Sequence, residues 1–541
     1  MSDTAIAEAR PKHRPWSMKR VVIASSAGTA FEWYDFFIFG ALASTIGQVF
    51  FAGLGETAGV IAALGLFAAG FAFRPLGAII FGAMGDRVGR KATFLTTVSL
   101  MGGATFAIGV LPTYAQAGIV APILLIILRI CQGTALGGEY GGAAIYVAEH
   151  ADDDKRGAAT GWIQSSAAFG LVAALLVIYF TRTTVGEEAF LEWGWRIPFL
   201  VSVLLLLISV WMRLKLSESP AFQKLQAENQ VTKTPLREAF AEKESLKKVL
   251  TAFFAFMAAQ GALWYCAFFY VQVFLERNLG VPGAEVNWII LTVTLVSAPL
   301  YVFFGWLSDR LGRKPVMVGG MILGLLAFYP GFQAITQAVN PRMATALEQS
   351  PVILDTQLSG CSFQFDLIGT ADYTTDCDLA SRAIIESGVS YERYDSMDGT
   401  TTVCVGDTTL YPDADGTISR NELDAALFDA GYPAAADPQE IDHATLYFWL
   451  IVFTVAATAL YGPQAAALVE MFPTRTRYTA MSLPYHIGTG WVGGFLPVTA
   501  FAIVAATGDI YAGLWYPIFF VALSVVCSLL FWREKPGQPL H

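Results

Sequence analysis

Charge is scarce in this chain: only 14% of its 541 residues are Asp, Glu, Lys or Arg, against roughly 25% in soluble domains. Histidine is scarcer, with five in all, and no metal-ligand cluster, nucleotide-binding loop or nucleophile triad accompanies them. An enzyme is therefore not expected, nor a cofactor or a bound metal. Basic residues gather only in short loops, which gives nucleic-acid binding no support. What is abundant is apolar: 55% of the chain is hydrophobic. Crossing a bilayer of about 30 Å takes about 20 apolar residues, and twelve such spans are read, at 21–50, 58–84, 92–114, 118–147, 157–180, 196–217, 247–276, 285–308, 315–338, 444–472, 477–506 and 510–532. The first is no signal peptide, since it is too long, carries Glu32 and Asp35 and lacks a small-residue cleavage site.

Short cytoplasmic loops hold an excess of Lys and Arg. Arg10, Lys12, Arg14, Lys19 and Arg20 precede the first span, and Arg87, Arg90, Lys91, Lys155 and Arg156 follow the second and fourth. Arg310, Arg313, Lys314, Arg475, Arg477, Arg533 and Lys535 continue the pattern, so both termini are expected in the cytoplasm. The polar stretch from Leu216 to Lys248 reads as a cytoplasmic linker. The expected organisation is a six-helix half (1–217), a linker (218–246), helices seven to nine (247–338), an extracytoplasmic insert (339–443), and helices ten to twelve with the tail (444–541).

Between spans nine and ten the character changes. Residues 340–443 hold 19 acidic residues against four Arg and no Lys, so the acidic balance of the chain belongs to this segment. Alternating stretches at Cys361 to Leu367 and Thr401 to Leu410 predict strands, while DLASRAIIESG and SRNELDAALFDAG predict short helices ending at Gly. A small α+β domain is expected. An oxidising compartment permits one disulfide; Cys361 with Cys377 is the expected pair, leaving Cys404 over, although spacing alone does not fix it. The run Tyr411 to Glu422 aligns with a calcium loop through Asp413, Asp415, Gly416 and Glu422, but Tyr411 replaces the leading Asp. An Asp-Gly turn followed by a capped helix is expected instead.

The most informative feature is a repeat. GAMGDRVGRK (Gly82 to Lys91) recurs as GWLSDRLGRK (Gly305 to Lys314), 223 residues later, each time after two apolar spans of its half. Duplicated helical units are the usual plan of secondary transporters. Asp86 and Asp309 stand just before a helix and can accept from its free N–H groups. The neighbouring Arg87, Arg90, Arg310 and Arg313 can pair with acids of the opposite half, forming a gate.

Ionisable groups inside spans are costly, at least about 2.5–3.5 kcal/mol each on insertion scales. Glu32 and Asp35 are three apart, hence on one helix face expected to point to a central cavity with Tyr34 beside them. Arg74 falls near mid-bilayer, and span four adds Arg129, Gln132 and Glu139. Asp35, Glu32 and Glu139 are the candidates for carrying a proton. Arg74, Arg129 and Gln132 are substrate candidates, with Gln260, Trp264, Tyr265, Tyr485 and His486 from the second half. If Asp35 pairs with Arg74 or Arg129 in the empty site, an anionic substrate competing for that Arg drives proton uptake. The alternatives are that these ions are static pairs tying the spans together, and that His486 is a satisfied structural histidine. The glycines of span four are explained by helix packing alone.

These motifs together resemble the major facilitator superfamily, and within it the metabolite:proton symporter family. The resemblance rests on EWYDFFIFG (Glu32 to Gly40), FRPLGAIIFGAMGDRVGRK (Phe73 to Lys91), RICQGTALGGEYGGA (Arg129 to Ala143), SESPAFQ (Ser217 to Gln223), GWLSDRLGRK and FPTRTRYTAMSLPYHIG (Phe472 to Gly488). It implies an all-α membrane protein of twelve helices in two halves, a rocker-switch mechanism and proton-coupled import across a bacterial inner membrane. His486 stands where the family pattern has Asn, and the insert has no counterpart in shorter members. Two membrane arginines favour a small organic acid as substrate, carried with a proton by a monomer in the lipid bilayer. A proton-independent uniporter and a transporter-like sensor using the insert are the rival readings.

Overall fold

The computed structural model describes residues 18–52, 63, 65–66, 69–215, 217–362, 374–396, 399–413 and 415–534. Its helices are α1 (Met18–Ala41), α2 (Ala43–Phe50), α3 (Arg74–Arg87), α4 (Arg90–Val110), α5 (Val120–His150), α6 (Arg156–Val185) and α7 (Arg196–Leu214). After the polar linker come α8 (Lys243–Asn278), α9 (Gly283–Leu311) and α10 (Arg313–Val339). Three short helices follow, α11 (Pro341–Gln349), α12 (Asp376–Glu386) and α13 (Arg420–Asp429). The last three are α14 (His443–Met471), α15 (Arg477–Thr507) and α16 (Ala512–Phe531).

Ten of them, α4 to α10 and α14 to α16, are long and apolar enough to cross a membrane. The other two expected spans differ for visible reasons. The first is two helices, α1 and α2, and α1 carries Lys19, Arg20, Glu32 and Asp35. The second is represented by α3 and a few residues before it, the rest of 58–68 lying outside the described residues along with Arg10, Lys12, Arg14 and Lys535. α8 is helical throughout but carries π-helical turns at Phe253–Met257, Cys266–Tyr270 and Phe274–Asn278.

The repeated loop has a conformational reason for its glycine. Gly89 and Gly312 both take positive φ, +125° and +98°, where a side chain is strained. Each lets the chain turn between two helices within one or two residues, Val88 and Gly89 in the first copy and Gly312 alone in the second. Around these turns α6 packs along α9, α3 along α15, and α5 and α6 against α14, so elements before residue 217 meet elements after residue 243 along their length. The backbones of Gly157 in α6 and Gly305 in α9 approach so closely that a Cβ on either would strike the other's carbonyl. In the same way Gly133 and Gly137 of α5 lie against the carbonyls of Gly70 and Arg74.

Residues 352–410 add a four-stranded sheet of order β2-β1-β3-β4, with β1 (Val352–Thr356), β2 (Tyr391–Asp395), β3 (Thr402–Val405) and β4 (Thr408–Leu410). β1 runs parallel to β2 and antiparallel to β3. α12 lies in the crossover, as a parallel pair requires. Val352, Leu354 and Thr356 face inward in alternation, yet VILDT was not among the expected strands. The stretch from Thr401 to Leu410 is a hairpin, whereas the strand expected at Cys361 to Leu367 falls almost wholly outside the described residues. Cys361 and Cys377 are disulfide-bonded, with Cα atoms 5.3 Å apart, and Cys404 is free. Gly416 N–H donates to Asp413 O (2.9 Å), and Asp415 accepts from the amide and hydroxyl of Thr417. Among the described residues no group of three His, Cys, Asp or Glu is gathered to hold a metal. The following helix lacks the expected side-chain cap, as Ser419 makes none.

The sheet unit is tied to the helices by backbone hydrogen bonds, from Tyr391 N–H to Gly508 O (2.8 Å), Ala436 N–H to Gly280 O (3.1 Å) and Asp442 N–H to Ala338 O (2.8 Å). Asp442 also caps α14, accepting from the Thr445 hydroxyl and from the amides of Ala444 and Thr445. The Thr445 hydroxyl, then these amides, hold its carboxyl below the usual range. A depressed carboxyl stabilises above its unfolded value and loses that contribution as pH falls through the folded one. The difference in thermal midpoint between the protein and its Asp442→Ala variant is therefore expected to be constant from pH 7 down to about 5 and to shrink only below about 4.

Candidate substrate cavity and interhelical latch

The charged side chains buried within the first seven helices include Arg74, Arg129, Arg213, Glu32, Asp35 and Glu139. α1 places Glu32 and Asp35 one turn apart, and both turn to α7. Asp35 accepts from Ser202 Oγ at 2.5 Å; Glu32 meets Arg213 Nη1 at 2.6 Å. Tyr34 donates to the carbonyl of Pro198, also on α7, at 2.7 Å. The acidic face of α1 is thus occupied by a neighbouring helix rather than directed to an open cavity. Among the described residues no ion pair joins Asp35 to Arg74 or Arg129, the pairing on which direct competition by an anionic substrate would depend. Arg129 heads a polar chain of its own: Arg129 Nη1 donates to Gln132 Oε1 (2.8 Å), Gln132 Nε2 donates to Thr105 Oγ1 (2.7 Å), and the Thr105 hydroxyl donates to Met101 O (2.9 Å), with Thr105 beside Asp35.

Arg74 stands differently. Pro75 starts α3 beside it, and the guanidinium lies over Phe71 (4.2 Å) and Phe36 (4.7 Å). Tyr265 of α8 engages it, but its Nε and Nη2 have no hydrogen-bond partner although the side chain is buried. Facing it is a set of aromatic rings from the other helices. Tyr140 and Tyr485 stack at 3.7 Å between centroids; Tyr461 and Tyr485 share a hydroxyl contact of 3.0 Å; Trp264 Nε1 donates to Tyr301 at 2.7 Å. Gln164 donates to the Tyr140 hydroxyl, and Gln260 Oε1 is buried without a partner. His486 sits edge-on to Tyr485 with both ring nitrogens unpartnered. So Arg74, Tyr265, Trp264, Tyr485 and His486 gather at one place, Gln260 is buried one helical turn before Trp264 on α8, Arg129 and Gln132 lie behind Phe36, and Tyr34 is engaged elsewhere.

At the end of the bundle carrying the repeated loops, the acids do what was expected with a different partner. Asp86 accepts from the amides of Tyr478 (3.2 Å) and Thr479 (2.8 Å), at the start of α15. Asp309 accepts from Gly157 and Ala158, both at 2.8 Å, at the start of α6. Each carboxylate therefore holds the positive N-terminus of a helix remote in sequence, not that of the next one. Arg90 pairs with Asp86 (3.0 Å) and donates to Thr474 O (2.7 Å); Arg313 pairs with Asp309 (2.6 Å) and Glu470 (3.0 Å). Arg87 and Arg310 are exposed, and Arg310 lies on Trp306.

The ion pairs that cross from the early to the late helices come from residues not singled out in the sequence. Arg477 meets Glu149 at 2.6 Å and Arg156 meets Glu470 at 2.8 Å. Glu218, from the SESPAF phrase, accepts from the amides of Arg90 (3.1 Å) and Lys91 (3.2 Å); Glu534 does the same for Arg313 and Lys314. The signal was present. Glu149 and Arg156 are seven residues apart, as are Glu470 and Arg477, a second repeat with reciprocal pairing. Arg213 was missed as well, because it ends span six beside loop residues.

Comparison with known proteins agrees with this geometry. The pattern of the family described as sugar (and other) transporter matches residues 20–237, and that of the Major Facilitator Superfamily matches 252–347. The chain is 36% identical to the proline/betaine transporter of Salmonella typhimurium over 62% of this chain and 69% of the relative. It is 35% identical to the shikimate transporter of Escherichia coli over 62% and 77%. A putative metabolite transport protein of Haemophilus influenzae is 31% identical over 95% of this chain and 93% of its own. In fold it is similar to the proton:xylose symporter XylE bound to 6-bromo-6-deoxy-D-glucose, with a TM-score of 0.63, 16% identity and 97% of both chains covered. The chain belongs to the major facilitator superfamily of membrane transporters, in its metabolite:proton symporter family.

Proposed function

We propose that this protein imports a small carboxylate-bearing metabolite together with a proton, by alternating access of two six-helix halves. The halves are 1–217 and 247–338 with 444–541, joined by the linker 218–246, with twelve spans in a bacterial inner membrane and both termini in the cytoplasm. Residues 339–443 then lie outside. The single observation that carries this reading is Arg74, a buried guanidinium whose Nε and Nη2 donors are unfilled among aromatic rings. A cation removed from water with open donors calls for an anion, and a planar carboxylate fits a guanidinium fork. Asp35 is the proton carrier in this scheme. Thr105, which ends the chain from Arg129 through Gln132, lies beside it, so a change in the arginines' electrostatic environment is felt next to the carboxyl. Asp86, Asp309 and the Glu149–Arg477 and Arg156–Glu470 pairs are the cytoplasmic gate, with Arg90 and Arg313 in support.

A second reading has its own observation. The rings of Tyr140, Tyr265, Tyr461, Tyr485 and Trp264 around one arginine also suit a zwitterion, its carboxylate on Arg74 and its ammonium against aromatic faces. The proline/betaine relatives favour that reading, the shikimate relative the acid. Proteoliposomes holding the purified protein decide between them. External pH is followed on adding proline, betaine, shikimate and mono-, di- and tricarboxylates. One compound is expected to alkalinise the medium, and Asp35→Asn to abolish that signal while retaining exchange of labelled for unlabelled compound. Uptake with no pH change would establish uniport, and ligand-induced thermal stabilisation without uptake would establish a sensor.

A further inference from the structure

Below Arg74, towards the gate, lies a second charged group that Asp35 chemistry does not use. Arg213 of α7 meets Glu32 of α1 at 2.6 Å and Glu139 of α5 at 3.8 Å, and all three side chains are at most 4% exposed. The contacts are ionic without hydrogen-bond geometry: the oxygens of both glutamates and the guanidinium nitrogens of Arg213 have no hydrogen-bond partner. Gly28 makes room for the arginine, since a Cβ there would lie 2.6 Å from its Nη2, and the guanidinium rests on Phe94 at 3.6 Å. One guanidinium neutralises one carboxylate. A second ionised carboxylate, removed from water with no partner of its own, is strongly disfavoured, so the three residues together retain one proton.

Between this group and the gate stands a side chain from the other half. Tyr478, on α15, has its ring against Gly85, its edge against Gly141 and its hydroxyl 2.6 Å from where a Gly142 Cβ would stand. That hydroxyl donates to Gly138 O, the residue before Glu139. Its own amide is one of the two held by Asp86. Tyr478 is thus within electrostatic reach of Asp86 and Arg90 on one side and of Glu32 and Arg213 on the other. The remaining charged neighbour is Asp35, one turn along α1 from Glu32.

We propose that Glu32 and Glu139, bridged by Arg213, form a second, single-proton site on the cytoplasmic side of the substrate cavity, and that Tyr478 is the stopper withdrawn from it when the Asp86 latch opens. Glutamates and arginine stay in the first half, whereas the stopper leaves with the second. Cytoplasmic opening therefore admits water to the carboxyl that holds the proton, which departs to that water and leaves a carboxylate. Arg213 is a positioning residue: it makes two glutamates share one proton. The proposal rests on the symport reading for its purpose, though not for its test.

Difference infrared spectroscopy of the full chain in lipid, at neutral pH and without added substrate, reads the protonated carboxyl band directly. Glu139→Gln and Glu32→Gln are each expected to remove the same single band, because the remaining glutamate then pairs with Arg213. Asp35→Asn leaves that band in place, and Arg213→Gln adds a second one. Tyr478→Ala speeds the deuterium shift of the band in heavy water at least tenfold, while Tyr478→Phe, which keeps the ring, does so by much less. Independent loss of separate bands in the two glutamate variants, or a band unchanged in both, overturns the shared site. An exchange rate unaltered in Tyr478→Ala overturns the stopper. If the bands behave as expected while no compound moves protons in proteoliposomes, the symport reading fails and the site stands.

Discussion

Glu149→Gln is expected to shift the protein heavily towards a state open on the side of the repeated loops. In the structure Glu149 and Arg477 are buried, 2.6 Å apart, with Arg90 a further 3.9 Å neighbour of the same carboxylate. Removing one member of a buried pair costs about 3–5 kcal/mol, because the other charge is left uncompensated. That cost falls on the closed state alone, since separating the halves returns Arg477 to water. At about 1.4 kcal/mol per tenfold, the balance moves by roughly 10²- to 10³-fold. Hydrogen exchange reports it: the amides of Tyr478 and Thr479, now held by Asp86, lose protection, and net uptake falls because the closed state is seldom reached. Asp86→Asn is expected to act in the same direction by a smaller amount, since an amide oxygen still accepts from one N–H but no longer offers a charge to the helix end. Exchange of both pairs, Glu149→Arg with Arg477→Glu, tests the ionic origin, and recovery of protection there separates a latch from a packing defect. Unchanged protection and uptake in Glu149→Gln and Asp86→Asn would sink the latch.

How much of this was legible depended on whether a contact was local. The DRxGRK repeat and its loop position were readable because a tight turn between helices leaves a local signature. Cysteine count permitted one disulfide among three candidates without fixing the pair, and the structure joins the expected Cys361 and Cys377. The cross-bundle pairs were hidden for a specific reason: Glu149 and Arg156 recur as Glu470 and Arg477 at a separation of 321 residues, whereas the loop repeat recurs at 223. The difference of 98 residues arises because the acidic insert, 104 residues at 340–443, falls within the second interval and not the first, which breaks the constant period by which duplication is recognised. Asp86 and Asp309 carried the right chemistry, acceptance from a helix N-terminus, but a sequence names only the next helix, and the structure supplied another. Helix-face reasoning put Glu32 and Asp35 together correctly and then aimed them at the cavity. Which neighbour covers a polar face is set by packing, and here α7 covers it with Ser202 and Arg213.

The same limit applies to the insert. VILDT is short and bounded by polar residues, so nothing in its alternation separates a central strand from a loop. It becomes central because β2 and β3 both pair with it, and β2 is brought alongside only by the intervening helix. The unit then bonds to residues 280, 338 and 508 through backbone groups, contacts that carry no side-chain signature. Arg74 was readable for the opposite reason. A charge in mid-span is conspicuous whatever surrounds it, although its unfilled donors were not.

Substitution of Arg74 is therefore expected to have the largest effect on transport itself. Arg74→Gln removes the charge while keeping a planar polar end of similar reach, and Phe36 and Phe71 retain their positions because they pack on α1 and on each other at 5.1 Å. If a substrate carboxylate binds there, it is left desolvated without its counter-ion. Truncating one side of a buried hydrogen-bonded ion pair costs about 2–5 kcal/mol, so uptake at low substrate concentration falls by roughly 30- to 4,000-fold. Arg74→Lys is expected to recover only part of this, because an ammonium offers a point charge where the fork of a guanidinium offers two parallel donors. The loss has a distinct form. Thermal stability in the absence of substrate is unchanged or slightly raised in Arg74→Gln, since a cation with open donors is removed from a dry site, while the stabilisation that substrate confers disappears. A variant that bound and carried substrate normally would place the carboxylate elsewhere, with Arg129 next in line behind Phe36. One that unfolded without substrate would make Arg74 structural. Stability kept together with binding lost is the combination that identifies Arg74 as the anchor for the anion.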